Sequence, residues 1–505
     1  MTGAPSRRGW LLPWLALAAL AVVRAGVVDE RDPYWQVRAG VENLSGAPLS
    51  RPDSWSWAPV DRLFTQTSPA WNDALGAAWR AAGFGGFFVL GLVSMLVYTS
   101  LVLVLARRLG AHPLPALGGV LAVLLLALPM VSPRATLAAQ SLFLAAVLGA
   151  DRLRVPAVRA PVGLLAAGSL VGGLLVAAAG SWLHLSWLLL APALWLSVAV
   201  LGLATPALGA ARRAAVLGGT GLGLVAGLAA GPYGLDAWTV TRTVQDAASG
   251  VVLEWMAPTA SGLAARWVPT ALLALVLAVA GVVATARRWS RRGEDDRVGL
   301  AAALLVLAAP AAAGGLFGVR FVGLALLALA PLAGVGATRV ARRVRLRGTA
   351  AEPAGVFRSP VVRRWSVGGP WRVVGWLTLV LLSPLVVLAG ARLGRPPEAA
   401  VLDALPDRCR LLSDPASAGP VLLLRPDVRV WVDTRADYWG AARNREALEV
   451  LSGRSTAVPA VTGADCVLLA DSPDLPTTGL ARALDSDPGW SAVAGSPGLR
   501  VWVRR

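Results

Sequence analysis

Long apolar runs separated by short polar breaks organise most of the chain. A helix needs about 20 apolar residues to cross roughly 30 Å of hydrocarbon. About eleven runs approach that length, near 10–28, 83–105, 114–132, 135–150, 161–180, 184–204, 214–231, 267–286, 298–317, 320–337 and 373–391. The third and fourth are short and meet at Ser132-Pro133-Arg134, which predicts a tight hairpin. Beyond Pro396 short apolar runs alternate with helix-like segments. Runs starting at Cys409, Val428, Cys466 and Leu499 read as strands, with helices near 440–452 and 478–486. The predicted fold class is an α-helical polytopic membrane protein of about eleven transmembrane helices over 1–391, followed by a small α/β domain over 392–505.

Composition agrees with this pattern. Of 505 residues, 56% are hydrophobic and 15% charged, and mean hydropathy is +0.62, whereas soluble proteins carry about 25% charged residues. The net charge of +18 is read as topology rather than as nucleic-acid binding, because basic residues in short loops stay cytoplasmic. Arg7/Arg8, Arg107/Arg108, Arg152/Arg154/Arg159, Arg212/Arg213, Arg287 to Arg297 and Arg339 to Arg372 fall on one side if the helices alternate. That puts the amino terminus in the cytoplasm, with the first run a retained signal anchor and anionic lipid headgroups near the arginines. The loops 29–82 and 232–266 and the C-terminal domain then share the extracytoplasmic face of the cell membrane. The two cysteines, Cys409 and Cys466, and two histidines exclude a Cys/His zinc site or an iron–sulfur cluster. A divalent cation (Mg or Mn) held by carboxylates is left open. A Cys409–Cys466 disulfide and a pair of buried thiols are equally compatible with the two strand-like runs. The cytoplasmic segments contain no Walker A loop or dinucleotide fingerprint, which points away from direct use of ATP.

The polar residues at the predicted extracytoplasmic helix ends carry the candidate chemistry. Asp29-Glu30-Arg31-Asp32-Pro33-Tyr34-Trp35 places three carboxylates at the hydrocarbon edge, which is costly unless they face water, a cation or a polar cavity. One reading is a solvated loop with Tyr34 and Trp35 as interfacial anchors. The other uses a carboxylate as general base on an acceptor hydroxyl, with arginines holding an anionic leaving group. Trp55, Trp57, Trp71 and Trp79 give the first loop an aromatic surface suited to a membrane interface or to sugar stacking. Arg134, His184 and Arg320 sit at the ends of three different runs. Singly each is a snorkelling or capping residue; together they suit a phosphate or pyrophosphate. Glu254-Trp255 adds an acidic and aromatic pair, and Asp433-Thr434-Arg435-Ala436-Asp437 is either an acceptor contact or a capped strand-to-helix turn.

With these residues the chain resembles the GT-C superfamily of multi-spanning glycosyltransferases, and more closely a bacterial subgroup of GT-C-like membrane proteins. Asp32-Pro33-Tyr34-Trp35 is similar to its Asp-Pro-x-x-Trp pattern with the Trp one position early, and Trp71-Asn72 with Trp79 to the end of its first outer loop. Ser132-Pro133-Arg134 resembles its Arg-Pro hairpin in reversed order, and Trp182-Leu183-His184 its Trp-x-x-Leu-His segment. Gly231-Pro232-Tyr233-Gly234 resembles Asn-Pro-Tyr-Gly with Gly231 in place of Asn. Glu254-Trp255 with Pro258 matches a Glu-Trp-x-x-Pro segment, and Val430 to Asp437 resembles a Val-x-x-Asp-x-Arg-x-Asp stretch. The resemblance implies an inverting transferase taking a sugar from a polyprenyl-phosphate carrier to an envelope glycan, lipid or protein. The implied base is Asp32 first, then Asp29 or Glu30. Arg134, His184 and Arg320 would hold the donor phosphate, and Tyr34, Trp35, Trp71, Glu254, Asp433, Arg435 and Asp437 would contact acceptor or sugar. Two other functions stay open: a non-catalytic scaffold for envelope assembly, and a lipid or glycan transporter.

Overall fold

The computed structural model describes residues 7–26, 31–248, 256–259, 264–290, 296–349, 395–454, 463–470 and 477–505. The first ten apolar runs each coincide with a helix; the eleventh, 373–391, lies outside the described residues. The helices are α1 (Leu11–Ala25), α2 (Asp32–Asn43), α3 (Pro69–Arg108), α4 (Pro113–Leu126), α5 (Ala135–Ala157), α6 (Val162–Leu183), α7 (Trp187–Leu203), α8 (Ala210–Ala229), α9 (Ala237–Ala248), α10 (Ala264–Trp289), α11 (Asp296–Gly314) and α12 (Val319–Thr349). Six of those described (α3, α5, α6, α10, α11 and α12) are long and apolar enough to cross a membrane. The pair α8–α9, bent by 96°, raises this to seven, and α1, α4 and α7 are shorter apolar helices.

Interhelical hydrogen bonds pin the apolar bundle: Tyr98 on α3 donates to the Leu327 carbonyl on α12 at 2.8 Å, and Ser197 on α7 to the Ala303 carbonyl on α11 at 2.8 Å. α3 breaks at Ala82 and Gly83, where φ at Gly83 is +54°. The break separates a first-loop arm, Pro69 to Ala81, from the apolar stretch read as a run from residue 83. At the bundle end far from the C-terminal sheet, buried Asp151 pairs with Arg108 (2.8 Å) and with Arg154, so a charge in an apolar setting is partnered.

The C-terminal unit is a five-stranded mixed sheet of β3 (Arg410–Ser413), β4 (Arg429–Val430), β5 (Cys466–Ala470), β6 (Trp490–Ser496) and β7 (Leu499–Arg504), ordered β4-β3-β5-β7-β6. β4, β3 and β5 run parallel, with the helix Pro415–Leu424 between the first two in sequence; β5–β7 and β7–β6 are antiparallel. Cys409, just before β3, is disulfide-bonded to Cys466 at the start of β5 with Cα atoms 6.2 Å apart. The two cysteines are 57 residues apart in sequence, and closing a loop of that length is worth about 4 kcal/mol in the chain-entropy account.

The first loop is built into this unit. Its short strands β1 (Ser50–Arg51) and β2 (Phe64–Thr65) pair with each other, and Ser56 bridges in parallel to Val430 at the sheet edge. Trp35, Ala39, Trp55 and Phe64 share one apolar core with Leu411, Val430, Trp431 and Tyr438. The loop is therefore the mortar between the helical bundle and the sheet.

Candidate functional site

α2 delivers Asp32. Pro33 in its first turn needs no amide partner, and a carboxylate at a helix N-terminus is favoured by the helix dipole. The Trp35 indole donates to Asp32 Oδ1 at 3.1 Å. Three contacts fix the helix that carries them. Gly40 lies against the Asn72 backbone and Gly76 against the Gly40 backbone, so α2 crosses the α3 arm at backbone contact. Arg31 forms a salt bridge with buried Glu398 at 3.1 Å, and Arg38 donates to the Leu422 carbonyl at 3.0 Å.

The hairpin between α4 and α5 delivers Arg134. Arg24 of α1 donates to the carbonyls of Val131 (3.0 Å) and Leu128 (3.1 Å), satisfying the irregular backbone before the turn. Gly91 of α3 leaves room for the Pro133 ring. Arg134 precedes the first turn of α5 and reaches the Met130 sulfur at 2.9 Å. Arg320 sits in the first turn of α12, and Met130 packs on Gly323 of that helix.

His184 lies between α6 and α7. Its Nδ1 accepts from the Ser186 amide at 2.9 Å, which assigns the ring proton to Nε2. Burial, then the nearby Arg320 and Arg134 charges, push the imidazole down to about 3. It is neutral near pH 7, a hydrogen-bond donor rather than the third cation of a phosphate clamp. The Leu185 amide donates to Thr67 at 3.0 Å, tying this turn to the first loop.

These elements enclose one cavity of about 600 Å³ lined by Asp32, Trp35, Arg134, His184, Arg320 and Asp437. Residues far apart in the sequence thus share one space that holds both carboxylates and arginines. Asp437 arrives from the first turn of the C-terminal helix Ala436–Leu451. Burial, and next the Asp32 charge, push its carboxyl up to about 6. The N-termini of α2, α5, α12 and the helix 436–451 all open on the cavity, and each adds positive potential for an anion. α9, bent by 96° from α8 at Gly231-Pro232-Tyr233-Gly234, contributes Trp238 and Arg242 to the lining, and the Arg242 guanidinium lies 5.2 Å from the Trp238 ring.

Other candidates are placed elsewhere. Asp433 and Arg435 do not line the cavity. Arg435, fully buried, is held by Asp433 at 2.7 Å and by Asp53 at 3.1 Å, and its guanidinium lies 4.4 Å from the Trp55 ring. Their charges are engaged in joining loop to sheet. Tyr34 stacks against Arg31 at 6.0 Å outside the cavity, and Trp71 is buried in a small core with Val37, Leu75 and Phe87. Asp29, Glu30 and Glu254 lie outside the described residues. Among the described residues no three His, Cys, Asp or Glu side chains converge.

The sequence reading passed over Gln36, Gln140, Trp238 and Arg242, all on the cavity wall. Signals were present: Gln36 follows Asp32 by four residues, one helical turn, and Gln140 is a polar residue inside an apolar run, where such residues mark function.

Solved structures similar to this chain include two of an archaeal oligosaccharyltransferase. The archaeal oligosaccharyltransferase AglB from Archaeoglobus fulgidus, in complex with an inhibitory peptide and a dolichol-phosphate, is 13% identical with a TM-score of 0.50, covering 91% of this chain and 69% of that one. The Archaeoglobus fulgidus oligosaccharyltransferase tethered with an acceptor peptide containing the NVT sequon is 13% identical with a TM-score of 0.53, covering 92% and 69%. No family model matches the chain, and no curated protein matches it. What the chain shares with these two structures is the fold.

Proposed function

We propose that this chain is an inverting membrane glycosyltransferase that moves a sugar from a polyprenyl-phosphate carrier to an envelope acceptor at the extracytoplasmic face. One observation carries the proposal: Asp32 shares a cavity of about 600 Å³ with Arg134, Arg320 and the N–H-donating His184. A base and an anion clamp in one space are what attack on a sugar with a phosphate leaving group requires. The AglB structure contains a dolichol-phosphate, and a lipid phosphate of that kind suits the arginines that line this cavity. Arginine distribution puts the opposite helix ends in the cytoplasm, and hence the C-terminal domain outside.

In this mechanism Asp32 takes the acceptor O–H proton as the oxygen attacks the anomeric carbon. The carbon–oxygen bond to phosphate breaks, and its electron pair leaves on the phosphate oxygen, where Arg134 and Arg320 meet the charge and His184 donates through Nε2. Asp32 and Asp437 are the pair that would hold a Mg or Mn ion, which binds through one or two carboxylates plus substrate phosphate and would further neutralise the leaving group.

The test is transfer from labelled polyprenyl-phosphate sugars in membranes, wild type against Asp32→Asn at matched expression. Loss of at least a hundredfold in the variant, with lipid binding kept, is the expected result. A fully active variant removes Asp32 from the role of base.

A further inference from the structure

Gln36 and Gln140 are 8% and 7% exposed, and both line the cavity. A side-chain amide offers two donors and an acceptor with two lone pairs. Among the described residues, neither amide has a hydrogen-bond partner. Two hydroxyls share this property: Ser68 Oγ and Thr434 Oγ1 are buried without partners, and both residues line the same cavity. By contrast the Asn43 and Gln66 side chains, also in the first loop, are hydrogen-bonded to each other at 2.8–3.0 Å. Gln36, Gln140, Ser68 and Thr434 thus bring four polar side chains to the wall of one cavity, alongside Asp32 and Arg134.

Their positions define what they would hold. Gln36 lies one helical turn after Asp32 on α2, and Gln140 lies about a turn and a half into α5, the helix that Arg134 precedes. One amide flanks the carboxylate and the other flanks the arginine. The part of the substrate that must lie between base and phosphate is the transferred sugar, a body covered in hydroxyls that donate and accept. We infer that Gln36 and Gln140, with Ser68 and Thr434 beside them, form the subsite that binds the hydroxyls of the transferred sugar. Lipid affinity would then rest on the arginines, and sugar affinity on the two amides. This rests on the transferase reading and deepens it, naming the residues that select the donor sugar.

The test measures binding, without turnover, of three probes to purified protein in lipid nanodiscs: polyprenyl phosphate, polyprenyl-phosphate mannose and polyprenyl-phosphate glucose. Gln36→Leu and Gln140→Leu remove the polar atoms at similar volume, and Gln140→Met keeps chain length if the Leu variant does not fold. The expected result is that wild type binds one sugar-bearing lipid more tightly than the bare phosphate, and that each variant weakens that lipid roughly tenfold while polyprenyl phosphate binds as before. If the variants weaken all three probes equally, or none, the sugar subsite is overturned while the transferase reading stands. If wild type binds no polyprenyl lipid at all, the transferase reading falls and takes this inference with it.

Discussion

Asp437 shows how much of the site depends on its immediate surroundings. Its carboxyl moves from 3.8 to about 6, through burial first and the Asp32 charge second. An unfolded aspartate releases its proton near 3.9, so between about pH 4 and 6 the folded chain holds a proton that the unfolded chain has lost. The stability linked to this group is therefore full below about pH 4 and falls as pH rises to about 6. Asp437→Asn removes the titration. We expect its melting temperature to approach that of wild type near pH 4.5 and to exceed it near pH 7.5, by the equivalent of about 1–2 kcal/mol after discounting for the carboxyl's opening on the cavity. An offset independent of pH would mean that Asp437 is not titrating in this window. The same five-residue segment also shows where residue-level reading stops. Asp433, Arg435 and Asp437 are equivalent by spacing, yet the structure divides them between an ion triad and the cavity. The deciding partner is Asp53, 382 residues before Arg435, and no local pattern announces it.

At the scale of elements, apolar runs made the bundle helices legible because bilayer thickness fixes their length. Elements that lie on the bundle were harder. α2 and α9 have mixed polarity, and their faces make sense only once the C-terminal helix Ala436–Leu451 and the α3 arm are set beside them. β6 carries little apolar pattern because Trp490 is its single buried residue. The crossing of α2 on α3 is the element contact on which Asp32 depends most directly. A methyl group at Gly40 would run into the Asn72 carbonyl, and overpacking of this kind costs about 1–3 kcal/mol. Gly40→Ala is expected to lower both the melting temperature and transfer, by tilting α2 and moving Asp32 off the cavity. Gly118→Ala on α4, where nothing stands within 4 Å, is the matched control and should leave both unchanged or raise stability slightly. Normal transfer in Gly40→Ala would show that α2 is positioned by its contacts with the sheet alone.

Over the whole molecule, the division at 391/392 left the first loop with the helices, since composition changes only past that point; the structure places the loop in the core of the sheet as well as on the bundle. The cavity exists only while both are joined, because Asp32 comes from the loop side and Asp437 from the sheet side. The Asp53–Arg435–Asp433 triad spans that junction. Arg435 bonds both carboxylates and packs against Trp55, Phe64 and Tyr438 at 4.4–4.9 Å. Removing only the cation leaves two buried anions facing each other, which costs about 3–5 kcal/mol, whereas neutralising every member of such a cluster is often tolerated. Arg435→Met should therefore loosen the sheet from the bundle, seen as faster proteolysis after the loop and loss of transfer. The triple variant Asp53→Asn, Arg435→Met, Asp433→Asn should recover much of the protease resistance, because no buried charge is left without a partner. Recovery of resistance together with transfer would mean that the triad serves only to join the two parts. Recovery of resistance without transfer would mean that its charge also sets the field felt by Asp437, to which Arg435 contributes directly.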